Sequence, residues 1–375
     1  MSDINDTIDP NKMQSLITIN SMLNIDKKNK LVFVYTIPKV GSTSLVSSLR
    51  VFTSKTLSIL HIHDEIMLKV LTHIDNVSIN DIILFNKYLG KEVYVINVYR
   101  SPIERKISSF FEKISSYHFN NTESEINTYN INKIITRFNN IFPWLENRDH
   151  LLDVYGIPVP DHFDYINKYM VLKENGVTYI SLRLCDSNQW GKILTNIFGI
   201  EIRIIKDYES SKKTISNLYN VFKENYRIPI NLLNDVMKDK YLTYYYSSDE
   251  LTSYYNEWFN KSTDERPSYT EEQYKIYNEI SIENMHLDVI QIEHYFDEGC
   301  LCKACFMKRK NIIRKMLKNP NNVTEKDKIT HASANCELIE RKLSNATKIK
   351  QILTHANKPP SKFKNNMVSI VSKKK

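Results

Sequence analysis

The sequence predicts an α/β protein: a mostly parallel sheet flanked by helices, with a helical C-terminal extension. Three observations carry this expectation. Short runs rich in β-branched and aromatic residues recur at 31–36, 91–100 and 176–184, each followed by apolar residues at helical spacing. Strands that alternate with helices are the pattern of parallel sheets covered on both faces. The chain of 375 residues is 42% hydrophobic, enough to bury a sizeable core.

Residues 1–29 are polar and read as a loosely attached leader with a short helix over Met13–Leu23. The α/β domain is expected from 30 to 290. Its first strand covers 31–36, and "GSTSLVSSLRVF" supplies the helix behind it. "TLSILHIHDE" gives a second short strand ending at His61 and His63. "KEVYVINVYR" is a third. The helix after it, "SPIERKISSFFEKI", opens with Ser101 and Pro102 where serine caps and proline is tolerated. Residues 120–175, with their Asn, Tyr and Pro, read as an insertion on the substrate side, a flap. "GVTYISLRL" is the fourth strand, and "SNQWGKILTNIFG" a helix closed by Gly199. From 201 to 290 the pattern is mainly helical. No internal repeat is visible.

The net charge of +8 is unevenly placed: residues 301–375 alone carry +15, so the preceding 300 are at −7. The body is not a basic protein. Only the extension, 291–375, suits an anionic partner such as nucleic acid, an acidic glycan or a membrane surface. It lacks the interleaved aromatics of specific single-strand binders. The five cysteines are an odd number without a secretion signal, which argues against a disulfide framework. The N-terminus is too polar and acidic for a signal peptide, and no apolar run reaches the length of a transmembrane segment. A cytoplasmic protein is expected.

Two loops carry chemistry. In Pro38-Lys39-Val40-Gly41-Ser42-Thr43-Ser44, a strand end, a glycine and a helix N-terminus converge, so amides, hydroxyls and the Lys39 ammonium can surround a phosphate. The lysine precedes the glycine, unlike the G-x-x-x-x-G-K-[ST] nucleotide loop. The same residues read equally well as a surface turn whose Ser and Thr cap a helix. In the second, Arg100 ends a strand, and Arg105 and Ser108 share a helical face three residues apart. One anionic group could reach both, or Arg100 could pair with a nearby carboxylate. Ligands of parallel sheets bind beyond the strands' carboxyl ends, which puts Lys39, His61, His63 and Arg100 on one rim. His61 and His63, with one residue between them, are expected on opposite faces of their strand, so at most one faces the site.

At these residues the chain resembles the sulfotransferases. "PKVGSTSL" is similar to their 5′-phosphosulfate loop and "VYRSPIERKISSFF" to their 3′-phosphate motif, in the same order and separation. The likeness covers about residues 30 to 260 and is greatest to carbohydrate-type enzymes and bacterial capsular polysaccharide synthesis proteins. It implies a P-loop-like sheet and transfer of a sulfonate from 3′-phosphoadenosine 5′-phosphosulfate (PAPS) to a hydroxyl or amine of a glycan or small acceptor. Lys39, Val40, Gly41, Ser42, Thr43 and Ser44 would hold the 5′-phosphate, and Arg100, Arg105 and Ser108 the 3′-phosphate. Lys39 would also neutralise the leaving oxygen, which makes a metal dispensable. The family's H-x-H favours His63 as base over His61, with Asp64 or Glu65 as substitutes. The family's acidic "Y-E-D-L" segment is replaced here by "SLRLCDSNQW", which leaves the adenine side unassigned; Trp190 reads as core more readily than as a stacking platform.

Cys300, Cys302 and Cys305, with Cys336, His294 or His331 completing the set, could bind a structural zinc. A paired second C-x-x-C is missing. Two other functions remain open at this stage: a kinase on a related sheet, weakened by the absent G-K-[ST] order, and a catalytically silent anion- or nucleic-acid-binding protein that works through its basic tail.

Overall fold

The computed structural model describes residues 9–119, 122–205, 215–271 and 273–274. These fall within a first unit, Met1–Asn284. A five-stranded sheet forms its centre: β1 (Lys30–Tyr35), β2 (Leu57–Ile62), β3 (Glu92–Tyr99), β4 (Tyr169–Glu174) and β5 (Val177–Arg183), in the order β2-β1-β3-β5-β4. β1 pairs in parallel with β2 and β3, and β3 with β5. β4 closes one edge antiparallel to β5. The α/β class with a mostly parallel sheet and flanking helices is as the sequence predicts.

Both faces of β1 are buried, and its side chains alternate between two cores. Leu31, Phe33 and Tyr35 enter one, with Leu16 and Ile19 of α1 (Pro10–Met22) and Leu68 of α3 (Glu65–Thr72). Ile79, Ile82 and Ile83 of α4 (Ile79–Tyr88) belong to the same core. Val32 and Val34 enter the other, with Leu45 and Leu49 of α2 (Ser42–Thr53) and Trp190 and Leu194 of the helix Trp190–Phe198. That helix ends on Gly199 in the left-handed region, as its sequence predicts.

Two expectations are corrected. The leader is not loosely attached from residue 10 onward: Leu16 and Ile19 are buried in the core, and the buried amides of Asn20 and Asn86 bond reciprocally at 3.1 and 2.9 Å. Nor is 120–175 a flap. It contributes the helix Ile131–Ile141, whose Phe138 packs edge-on to Phe110 at 5.2 Å, and the whole of β4. The β4–β5 connection is a two-residue hairpin in which Asn175 and Gly176 both have positive φ, 50° and 73°. An Asn-Gly pair adopts that turn most readily.

α5 (Pro102–Glu112) follows β3 and carries the second motif. It is fixed from below by Glu104, which accepts from Tyr254 Oη at 2.9 Å and Trp258 Nε1 at 3.0 Å. Ser101 sits at its N-cap without a side-chain capping bond, and Pro102 opens its first turn. Residues 216–259 are mainly helical, as predicted, in four segments from Ser216–Asn225 to Ser248–Phe259. No helix among the described residues is long and apolar enough to cross a membrane.

Candidate functional site

From β1 the chain crosses to β2 on one side and later to β3 on the other, which makes the carboxyl ends of β1 and β3 the switch point at which open sheets bind ligands in a crevice. The two predicted loops leave from those ends. Gly41 is the N-cap of α2 at φ 85° and makes no side-chain capping bond. A Cβ there would lie 2.7 Å from Leu184 Cδ1 and 3.6 Å from Trp190 Cη2, so both backbone angle and packing select glycine. The first-turn amides of α2 are thereby turned to the crevice with the positive end of the helix dipole. Lys39 is also left-handed, at φ 71°, a strained conformation for a side chain of its size.

Lys39 is where the two motifs meet. Arg100 Nη1 donates to the Lys39 carbonyl at 2.9 Å, across a sequence separation of 61. The Lys39 ammonium is 3.0 Å from Glu112 Oε1 at the far end of α5. Ser108, half-buried, lies one helical turn before Glu112. Around the loop, Thr43 is exposed and Ser44 half-buried, while the Val40 side chain is fully in the core. Ser42 is buried, with its Oγ 3.0 Å from His61 Nε2. The structure thus brings Lys39, Gly41, Thr43, Ser44, Arg100 and Ser108 to one edge of the sheet.

Arg105 is not on that edge. It is 3% exposed, and its Nη2 donates to Asn147 Oδ1 at 3.4 Å. Sharing a helical face with Ser108 does not set exposure, because that face dips into the core at its N-terminal end. Next to it Lys106 is buried, donates to the Phe142 carbonyl at 2.7 Å, and is pulled down to about 8 by burial and then by Arg105.

The expectation that the two histidines point to opposite faces is corrected: alternate residues of a strand share a face, and the two rings lie side by side. His61 is on β2 and His63 lies one residue past its end, with the ring centroids 4.6 Å apart. His61 is pushed down to about 4, first by burial and then by His63 and Arg50. His63 Nδ1 is 2.6 Å from the Thr36 carbonyl. A carbonyl only accepts, so Nδ1 carries the proton and Nε2 the lone pair. Asp64 and Glu65 are occupied at helix ends: Asp64 accepts from Met67 N at 2.7 Å, and Glu65 from Ile79 N at 3.1 and 3.2 Å.

Behind the crevice runs a buried polar chain that the sequence reading missed. Thr36 Oγ1 donates to Asn97 Oδ1 at 3.2 Å, and Asn97 Nδ2 to Asp149 Oδ2 at 2.8 Å. Tyr245 Oη donates to Asp149 Oδ1 at 3.1 Å. Burial raises Asp149 to about 6 against these bonds. His150 Nε2 is 2.7 Å from the His63 carbonyl. The only signal of these residues in sequence was polarity inside an apolar strand, at Asn97.

On the unassigned side, Arg183 is buried and spends its donors on Asp186 at 2.7 Å, Glu250 at 2.8 and 2.9 Å, and the Tyr245 carbonyl at 2.7 Å. Burial acts to raise Glu250, but the Arg183 bonds prevail and hold it down at about 2. Trp190 is core: 1% exposed, its Nε1 donates to the Arg183 carbonyl at 3.1 Å. An open depression of about 570 Å³ lined by His162, Asp164, Tyr165, Ile166 and Leu172 borders β4 and includes none of the rim residues. Among the described residues no group of three His, Cys, Asp or Glu is placed to hold a metal. Cys300, Cys302, Cys305 and Cys336, named for zinc, lie outside the described residues, as does the basic extension. Compared with known proteins, the chain matches no family model, no curated protein and no solved structure.

Proposed function

We propose that the chain is a PAPS-dependent sulfotransferase built on a P-loop-like sheet, acting in the cytoplasm on a glycan or small hydroxylated acceptor. The observation that supports this best is the convergence on Lys39. Its carbonyl is held by Arg100 and its ammonium by Glu112, so residues from both phosphate motifs lie beside one lysine at the crevice between β1 and β3. A ligand with phosphates at both ends of a nucleoside suits such an arrangement. Glu112 stands where an anion is wanted, and a 5′-phosphate of higher charge would displace it from Lys39.

The donor set fits the co-substrate. Lys39, the first-turn amides of α2, Thr43 and Ser44 would hold the 5′-phosphate, and Arg100 and Ser108 the 3′-phosphate. His63 Nε2 would take the acceptor proton as the acceptor oxygen bonds to sulfur. The bond from sulfur to the 5′-phosphate oxygen then breaks, and Lys39 neutralises the charge left on that oxygen. His61 suits this less well, because it bonds Ser42 and burial has lowered its basicity. The basic extension would contact an anionic partner.

The test is calorimetric binding of adenosine 3′,5′-bisphosphate against ATP, in the full chain and in Lys39→Ala. The reading expects the bisphosphate to bind at least about tenfold tighter than ATP, and the alanine variant to lose about tenfold or more, as for a charge-assisted bond of about 1.5–3 kcal/mol. Equal binding of both nucleotides, unchanged by the substitution, would overturn it.

A further inference from the structure

We propose that His150 is a positioning residue for His63, holding its main chain so that the imidazole presents Nε2 as the proton acceptor. The inference deepens the proposed function and rests on His63 being the base.

His63 lies between β2 and the N-cap of α3, outside the hydrogen bonding of both, so its carbonyl has no regular partner. His150 Nε2 supplies one at 2.7 Å. Because that carbonyl can only accept, His150 must carry its proton on Nε2, which leaves its Nδ1 bare. That Nδ1 is buried and has no hydrogen-bond partner, so the ring is kept for its single donor. The ring cannot drift: it is 6% exposed and packs edge-on to Tyr35 at 4.6 Å. On its other side the His63 ring is tied to the Thr36 carbonyl at 2.6 Å. Thr36 is itself fixed by its hydroxyl, which is bonded to Asn97 and to the main chain of Val98. Two carbonyl bonds of opposite sense therefore clamp His63, one to its ring and one from its backbone. Both anchors are buried, while His63 itself is half-exposed. Among the described residues nothing hydrogen-bonds its Nε2.

The experiment uses the full chain with ¹⁵N-labelled histidine and reads, by long-range proton–nitrogen correlation, which ring nitrogen carries the proton. In the wild type, His63 is expected as the Nδ1–H tautomer and His150 as Nε2–H. His150→Phe keeps the aromatic packing and removes the donor. It should mix the His63 tautomers and lower kcat for sulfonate transfer about tenfold, a fraction of what a general base supplies. Affinity for adenosine 3′,5′-bisphosphate should stay within about twofold of wild type. His150→Gln, whose amide nitrogen can stand in for Nε2, should restore most of kcat and the single tautomer. An Nε2–H form at wild-type His63 overturns the proposal, whether or not the Phe variant folds. So does a Phe variant with wild-type tautomer and kcat, or a Gln variant that restores neither. If the chain transfers no sulfonate yet His63 shifts tautomer in the Phe variant, the proposed function fails and the positioning stands.

Discussion

Replacing Asp149 by Asn tests how the buried polar chain is balanced. The carboxylate is fully buried and accepts bonds from Asn97, Tyr245 and the amide of Leu152, yet burial raises it from 3.8 to about 6. A carboxyl that holds its proton more tightly folded than unfolded stabilises the fold at low pH, and that contribution is lost as pH rises from 3.8 through about 6. The gap, at about 1.4 kcal/mol per pH unit, amounts to about 3 kcal/mol, most of it spent between pH 4 and 7. Asn removes this dependence. It also sets a second amide donor against Asn97 Nδ2, a pH-independent loss of about 1–3 kcal/mol. The stability advantage of wild type over Asp149→Asn should therefore shrink by about 2 kcal/mol between pH 4 and 7, and the two proteins should come close to equal at neutral pH. Urea unfolding of both proteins at pH 4, 5, 6 and 7 gives the difference directly, since other titrating groups cancel. A difference that stays constant across that range, or grows with pH, refutes the reasoning.

Three further outcomes are expected from the same structure. Glu112→Gln removes a partly exposed ion pair worth about 0–1 kcal/mol to the fold, so stability should barely change while adenosine 3′,5′-bisphosphate binds up to about fivefold tighter; weaker binding would mean that Glu112 organises Lys39 instead of competing for it. Gly41→Ala places a side chain at φ 85° against the flexible tip of Leu184, and should cost about 1–2 kcal/mol in thermal unfolding and weaken the bisphosphate; an unchanged Tm and affinity would show that the loop relaxes freely. Trp190→Ala empties the core beside the loop and should cost about 3–5 kcal/mol by urea unfolding, a smaller loss indicating that the helix Trp190–Phe198 collapses into the gap.

Much of the fold was legible because strands buried on both faces are written as continuous apolar runs, and β1, β3 and β5 fall within a residue or so of the predicted spans. β4 was missed because it is an edge strand with a mixed pattern, although the Asn175-Gly176 turn that pairs it with β5 was there to be read. α4 announced itself only through Ser78 and Asp81, which form its capping box. Within the site, Gly41 and Arg100 could be placed from the chain because strand ends and helix starts are local events. Arg105 could not: helical spacing says which residues share a face, and only the packing of Asn147 says which end of that face is buried.

The sequence by itself determined the class of fold, the strand that precedes each loop and the chemical character of the rim, because these depend on residues a few positions apart. Tertiary structure alone decided that Lys39 joins the two motifs, that Thr36 sets the His63 tautomer and that His150 holds its backbone. Those contacts cross 61, 27 and 87 residues respectively, distances over which nothing in the local pattern constrains a partner. They exist because β1 lies between β2 and β3, so the carboxyl ends of strands distant along the chain are neighbours in space.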